Sequence, residues 1–330
     1  MNSSLAPILQ YFFTEHLSSH KQVSPRTIIA YRDSFRLLLQ FLKKSTGKQP
    51  SKLCVQDLDA PAILDFLESL ETERDNQVCS RNARLTAIRS FFHVVALRDP
   101  ACVGIVTRVL AIPRKRTDKR LVGYLTREEI DAVLAAPDQA TWIGRRDHAL
   151  LLTMYNSGAR LSEMTCMKRA QIRFDSTTYL QLHGKGRKER MVPLWAKTGR
   201  VLQHWLRELE IKKTEVVFPS TRGTPLSCDG LDYILQQSVR RAAEVCPSLL
   251  AKRVTPHVVR HTCAMSLLQA GNDIAVIALW LGHESIETTH IYVEADLAMK
   301  ERALERIAPG DSPVRRFKAD DALLAFLASL

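Results

Sequence analysis

Residues 257–261 read HVVRH, two histidines four apart with an arginine between them. On a helix that spacing puts His257 and His261 on one face, the arrangement with which zinc hydrolases hold their metal. The residue after the first histidine, where such an enzyme carries its glutamate, is Val258, and the charged neighbours are Lys252, Arg253 and Arg260. A cation placed among these groups is repelled, so the sequence predicts neither a metal nor a cofactor. An anion fits better. Thr255 and Pro256 are a cap and a first-turn proline, so His257 and Arg260 open a helix whose N-terminus adds partial positive charge. His261 shares a turn with Val258 and Met265 and reads as a packing residue.

Other basic residues stand where the chain turns. Arg160 follows Ser157-Gly158-Ala159 between two helical stretches, Lys185 is flanked by Gly184 and Gly186, and His283 follows Leu281-Gly282, with Tyr292 further on. Two arginines can fork onto phosphate oxygens at any accessible pH. A phosphodiester under attack gains charge on its non-bridging oxygens, where one fixed donor is worth about 2.7–4 kcal/mol of barrier. A tyrosine can be the nucleophile if its proton is accepted nearby. A lysine in a strongly positive site has its pKa pulled down toward that of a useful acid. These residue types suffice for metal-free phosphoryl transfer through a phosphotyrosine, although a tyrosine so placed is in most proteins ordinary core or surface.

The bulk properties agree with a polyanionic partner. The chain has 330 residues, which favours two domains over one core. Lys and Arg number 47 against 35 Asp and Glu, a net charge of +12, and the pI is near 9.5. Release of counterions from phosphates makes nucleic acid the first expectation, ahead of a membrane surface. The seven cysteines are scattered and never form CxxC, which predicts reduced thiols. The N-terminus has no basic region with a cleavage site, and the apolar run Ile274–Leu281 is far short of the roughly 20 residues needed to span a bilayer. The expectation is a cytoplasmic protein.

The elements that must position these residues are mainly α, with one small antiparallel β-sheet. Ser24-Pro25 starts a helix carrying Ile28, Tyr31, Phe35, Leu38, Leu39 and Leu42 at helical spacing, with Arg26 and Arg32 on its polar side. A second helix follows Asp59-Ala60-Pro61. A third, CSRNARLTAIRSFFHVVAL, has a stripe of Leu85, Ile88, Phe91, Phe92 and Val95, while Arg81, Arg84 and Arg89 form either a solvated face or a phosphate-facing one. Residues 113–120, PRKRTDKR, have nothing apolar to pack and read as a basic linker, with Arg114, Lys115 and Arg116 available to a DNA backbone. Thr126 and Glu129 are spaced as a capping box, and a helix over about 145–157 stops at Gly158. QIRF, TTYLQLH and RMVPL read as strands with GKGRK as a turn between the last two. Helices are then predicted at about 197–212, 227–245, 256–270, 273–282, 285–291 and 294–307, and DDALLAFLASL forms a short apolar helix beyond PGDSPVRRFK. The boundaries are therefore 1–112 for a first helical domain, 113–122 for the linker, 123–310 for a mixed α/β domain and 311–330 for the tail.

GARLSEM, HGKGRKERMVPL, TPHVVRHTCAMSLLQAG and ALWLGHESIETTHIYVE, in that order, resemble the successive signature boxes of the tyrosine recombinase (phage integrase) family, in style closest to its Xer-like members. SPRTIIAYRDSFRLLLQFL and SRNARLTAIRSFF resemble that family's helical, SAM-like core-binding domain. The resemblance implies a site-specific recombinase that cuts and rejoins double-stranded DNA through a 3′-phosphotyrosyl intermediate, without metal or ATP. It assigns Arg160 and Arg260 to the transition state and Lys185 to protonation of the leaving 5′ oxygen. His257 would assist proton transfer, His283 would bind the scissile phosphate, and Tyr292 would be the nucleophile. Glu163 matches an acidic position that supports the site. It further implies a homo- or hetero-tetramer on two DNA sites, with a paralogous recombinase or directionality factor as further partners, nucleoid association, and a C-terminal helix that docks onto a neighbouring protomer or folds back on its own domain. Two other readings stay open at this point. One is a type IB topoisomerase-like nicking and closing enzyme, the other a catalytically silent DNA-binding accessory protein.

Overall fold

The computed structural model describes residues 4–117, 123–184, 189–210, 214–283, 288–289 and 291–292. The chain divides into two compact units, Met1–Lys119 and Arg120–Leu330.

The first unit is helical: α1 (Leu5–Tyr11, continuing as a wider π-type helix to His20), α2 (Pro25–Thr46), α3 (Ala60–Thr72), α4 (Val78–Arg98) and α5 (Val103–Leu110). The Ser24 hydroxyl accepts from the Thr27 amide, Pro25 takes the first turn, and Gly47 ends α2 in the left-handed conformation. Asp59 caps α3 by accepting from Ala62. The stripe read along α4 is the buried one: Leu85, Ile88, Phe91, Phe92 and Val95 join Phe12, Phe35, Leu38 and Leu42 in one core. Edge-to-face contacts among Phe12, Phe35 and Phe91, with ring centroids 5.2–6.0 Å apart, fix that core in one packing.

The described part of the basic segment is held on this unit. The buried Asn82 amide donates to Lys115 O at 2.8 Å and its oxygen accepts from Lys115 N at 3.1 Å. Lys115 Nζ lies 2.6 Å from Glu71. The backbones of Pro113 and Lys115 are thus bonded to the α4 side chains of Arg81 and Asn82, a role that the composition of the segment hid.

The second unit contains α6 (Arg127–Ala135), α7 (Trp142–Ser157), α8 (Leu161–Thr165), β1 (Ile172–Phe174), β2 (Thr178–His183), β3 (Glu189–Pro193), α9 (Ala196–Glu210), α10 (Cys228–Ala242), α11 (Pro256–Gln269) and α12 (Ile274–Leu281). The Thr126–Glu129 capping box is formed. α7 starts earlier than its apolar spacing suggested, because Thr141 accepts from the Gly144 amide and caps it. The sheet is antiparallel in the order β1-β2-β3, with Leu180 opposite both Ile172 and Val192. Its inner face joins Leu202 and Trp205 of α9 and Leu150, Leu151 and Met154 of α7 in the core. α11 packs against α7 and α12, and its Thr262 hydroxyl accepts from Leu125 N at 3.0 Å. Short helical turns include 288–289 and 291–292. The expected helix at 294–307, the tail helix and the hairpin tip 185–188 lie outside the described residues. Among the described residues no helix is long and apolar enough to cross a membrane.

Candidate functional site

The site is built on two helix ends that meet. α7 ends at Gly158, φ +58°, and α12 ends at Gly282, φ +66°, both in the left-handed region. A Cβ on Gly158 would lie 2.6 Å from Leu281 Cδ2, so these ends approach only because the position is glycine. The last carbonyls of a helix have no intrahelical donor. Here arginines supply it. Arg260 of α11 donates from Nη1 to Gly158 O at 2.5 Å and from Nη2 to Leu281 O at 2.7 Å. Arg160, just before α8, donates from Nη2 to Gly282 O at 2.8 Å. Arg190 of β3 donates from Nε to Trp280 O at 3.0 Å. Three consecutive carbonyls at the end of α12 thus each take a guanidinium from a different part of the chain.

Glu163 is the carboxylate that joins them. Arg190 forks onto it, Nη1 to Oε1 and Nη2 to Oε2, both at 2.8 Å. The Arg160 amide donates to Oε2 at 2.7 Å, and Arg160 Nη1 to Oε1 at 3.2 Å. Burial alone would raise the Glu163 pKa, but the Arg190 fork and charge, the Arg160 amide and the Arg160 charge together hold it below the usual value. Three cations around one carboxylate leave positive charge in excess. Burial first, then Arg160 and Arg190, pull the Arg260 pKa down to about 10, which still leaves it charged at neutral pH. Such a surplus is a place prepared for an anion.

Tyr292 is 1% exposed and packs with Ala264, Met265, Leu268, Ile277 and Leu281. Its phenol oxygen lies 2.9 Å from His261 Nδ1, and its ring is stacked 6.3 Å from that of His283. Burial pushes the phenol pKa up to about 12, against a lowering influence from Arg260. His283 Nδ1 lies 2.8 Å from the Thr289 hydroxyl. Burial, followed by Arg260 and Arg160, takes His283 down to about 4. Burial, followed by His257 and Arg260, takes His261 down to about 4. Both rings are neutral at neutral pH.

The structure therefore brings Arg160, Glu163, Arg260, His283 and Tyr292 together. His257 is exposed on the first turn of α11, its ring 6.4 Å from that of His261. Lys185 lies outside the described residues. His261 departs from the packing role read from its apolar neighbours: it is the hydrogen-bond partner of the phenol. Arg190 is a site residue that the chain-turn pattern does not reach. A signal for it is nonetheless present, since Arg190 shares parity along β3 with the buried Val192 and stands opposite the buried Leu182. An arginine on the inner face of a strand needs a buried partner.

Of the arginines expected at DNA, Arg81 is buried at 4% exposure and donates to Asn82 and to Pro113 O. That is a correction: its guanidinium ties α4 to the chain at Pro113 and is not open to a phosphate. Arg84 and Arg89 are half-buried, and Arg26, Arg114, Lys115 and Arg116 are exposed. Arg32 is exposed and paired with Asp33 at 3.0 Å.

Comparison with known proteins shows the family of the chain. Residues 123–299 match the phage integrase family, and residues 12–98 match the phage integrase N-terminal SAM-like domain. The chain is 51% identical to the putative integrase/recombinase y4rC of Sinorhizobium fredii, over all of this chain and 99% of that protein. It is 33% identical to tyrosine recombinase XerC of Oceanobacillus iheyensis, over 85% of this chain and 89% of that one. The fold is shared with the XerH site-specific recombinase bound to palindromic difH substrate, at TM-score 0.65, 20% identity, and 86% and 80% coverage of the two chains. It is shared also with the Tn1549 transposon integrase in complex with a circular intermediate DNA, at TM-score 0.69, 15% identity, and 93% and 100% coverage. With both of its units matched by models of one family, and with relatives of that family over most of its length, the chain belongs to the phage integrase family of tyrosine recombinases.

Proposed function

We propose that the chain is a site-specific DNA recombinase that cuts and rejoins strands through a 3′-phosphotyrosyl bond to Tyr292. The observation that carries this reading is the convergence of Arg160, Arg260 and His283 on one helix end, beside the ring of Tyr292. The phenol oxygen attacks phosphorus, the bond to the 5′ oxygen breaks, and the leaving oxygen takes a proton from Lys185. The tyrosine proton passes to His257. Arg160 and Arg260 hold the non-bridging oxygens as their charge grows. Neutral His283 donates from Nε2 when its Nδ1 accepts from the Thr289 hydroxyl. Glu163 keeps Arg160 in place.

At 1% exposure Tyr292 cannot meet a phosphodiester, so attack requires it to leave its pocket. The phosphotyrosine conserves the energy of the broken bond, and rejoining needs neither ATP nor metal. The partner is double-stranded DNA. Solved neighbours of the same fold include DNA complexes, among them a lambda integrase dimer on a core site. Assembly of several protomers on two sites and location at the nucleoid belong to that reading, with service either as the integrase or transposase of a mobile element or as an Xer-type resolvase. Arg26, Arg32, Arg84, Arg89, Arg114, Lys115 and Arg116 would meet the DNA backbone, and the 311–330 tail would meet a neighbouring protomer. The comparisons do not favour a topoisomerase-like or catalytically silent protein.

A nicked suicide duplex carrying a recombination site, taken from the DNA that flanks the gene, tests the proposal. Wild type forms a protein–DNA adduct that survives denaturant, and Tyr292→Phe forms none. An adduct that persists in the variant, or one that EDTA abolishes in wild type, overturns it.

A further inference from the structure

We infer that Arg190 is a positioning residue for this reaction: by filling the Glu163 carboxylate and holding the Trp280 carbonyl, it fixes both supports of the Arg160 guanidinium. The inference rests on the recombinase reading of the site, and it assigns a role to a residue outside the catalytic set proposed above.

Four observations carry it. Arg190 spends three N–H groups on two acceptors, two on Glu163 at 2.8 Å and one on Trp280 O at 3.0 Å. Its side chain is 9% exposed and that of Glu163 4%, so neither group has water as a substitute. Arg160 rests on the same two structures, Glu163 and the α12 end, through Nη1 at 3.2 Å and Nη2 to Gly282 O at 2.8 Å. Finally, the space beside Gly282 is filled by Arg190: a Cβ there would lie 3.0 Å from its Cδ and 3.1 Å from its Nη1.

The geometry separates the two arginines by job. Arg190 commits three of its five N–H groups to protein, and its side chain is only 9% exposed, so little of it is open to a phosphate. Arg160 makes one side-chain bond to each support, its side chain is 29% exposed, and it keeps N–H groups for an incoming anion. A bidentate fork transmits orientation as well as charge, because a planar guanidinium matched to a planar carboxylate allows only one mutual geometry. Lysine in place of Arg190 would keep the charge and lose that plane.

Charge makes the role testable. The cations around Glu163 are Arg190 from β3, Arg160 from its own helix start and Arg260 from α11, while His283, beyond the end of α12, is neutral at neutral pH. Without Arg190, burial dominates, and Glu163 takes up a proton at a higher pH than in wild type. A protonated Glu163 no longer holds Arg160 as an ion pair. The catalytic defect of an Arg190 variant should therefore deepen toward acid, a behaviour that simple loosening of the fold does not produce.

The test is single-turnover adduct formation on the nicked suicide duplex with the full chain at saturating concentration, compared at pH values from about 5.5 to about 9. Arg190→Met, Arg190→Lys and Arg190→Met/Glu163→Gln are compared, with DNA affinity measured for each in a Tyr292→Phe background. Arg190→Met is expected to slow adduct formation at least tenfold with near-normal DNA affinity, and to recover partly as pH rises. Arg190→Lys is expected to restore part of the rate. The double variant is expected to be slow and to lose the pH dependence that Arg190→Met adds. If the methionine variant does not fold, Arg190→Lys decides: adduct formation several-fold slower at unchanged affinity supports the inference. Wild-type rates in either variant, or a defect equal at every pH and not relieved by lysine, overturn it. Failure of wild type to form a Tyr292-dependent adduct would instead overturn the recombinase reading.

Discussion

The phenol oxygen of Tyr292 lies 2.9 Å from Nδ1 of His261, a turn along α11 from the exposed His257. The two groups are badly matched for exchanging a proton. Burial pushes the phenol up to about 12 and holds the imidazole down at about 4, so in the DNA-free arrangement the proton stays on oxygen. The pair holds the proposed nucleophile in store. His261→Phe leaves a buried hydroxyl without its partner and should cost about 1–3 kcal/mol of stability, read by denaturant unfolding. Covalent adduct should still form, since the bond is given up when Tyr292 moves out. Complete loss of adduct in a folded His261→Phe protein would show that the partnership persists into the reaction.

Acid should weaken the second unit through its histidines. His261 and His283 have folded pKa values of about 4, below the value of about 6.5 in an unfolded chain. Between these values the unfolded state binds more protons, so the stabilisation is present above about pH 6.5 and is lost as pH falls toward about 4. The melting temperature should drop across this window. His283→Asn should flatten the drop, and an unchanged slope would count against the buried neutral state of that ring.

Arg260→Met should act on both rate and fold. Loss of one transition-state donor predicts adduct formation slower by about 10²–10³-fold, equivalent to about 2.7–4 kcal/mol. The carbonyls of Gly158 and Leu281 also lose their shared donor, so thermal stability should fall alongside the rate. A variant that melts like wild type would mean that the two helix ends are held by something else.

The left-handed glycine at the end of α7 should differ from one that turns in open space. Gly223, φ +81°, has nothing within 4 Å of a built Cβ, whereas Gly158, φ +58°, would strike Leu281 at 2.6 Å. Gly223→Ala should cost only the backbone strain, about 1–2 kcal/mol. Gly158→Ala should cost more by denaturant melt. Equal costs would mean that the α7 and α12 ends can separate freely.

Lys185→Ala should slow cleavage by about 10²–10⁴-fold, the usual worth of a positioned acid. A 5′-bridging phosphorothiolate, whose leaving group needs no proton, should recover most of that rate. No recovery would remove Lys185 from the role of acid.

Much of this protein is legible in its sequence because the signals are local. Caps and stops at Ser24, Thr126 and Gly158 depend on bonds within one turn of chain, and the stripe along α4 needs only helical spacing. Basic residues at chain turns, with no apolar face to explain them, mark Arg160, Arg260 and His283 as candidate anion ligands, and the structure brings the three to one helix end. What the sequence does not determine is who satisfies whom across the fold. Arg81 has the composition of a phosphate contact and is buried against Pro113, and PRKRT has nothing apolar to anchor it and is bonded to Asn82. His261 shares a turn with apolar residues, so only the tertiary structure brings it to Tyr292. Arg190 and Glu163 sit on different elements, and their fork exists because β3, α8 and the end of α12 converge. Hydrogen bonds between distant elements are decided by packing, and packing leaves no period in a sequence.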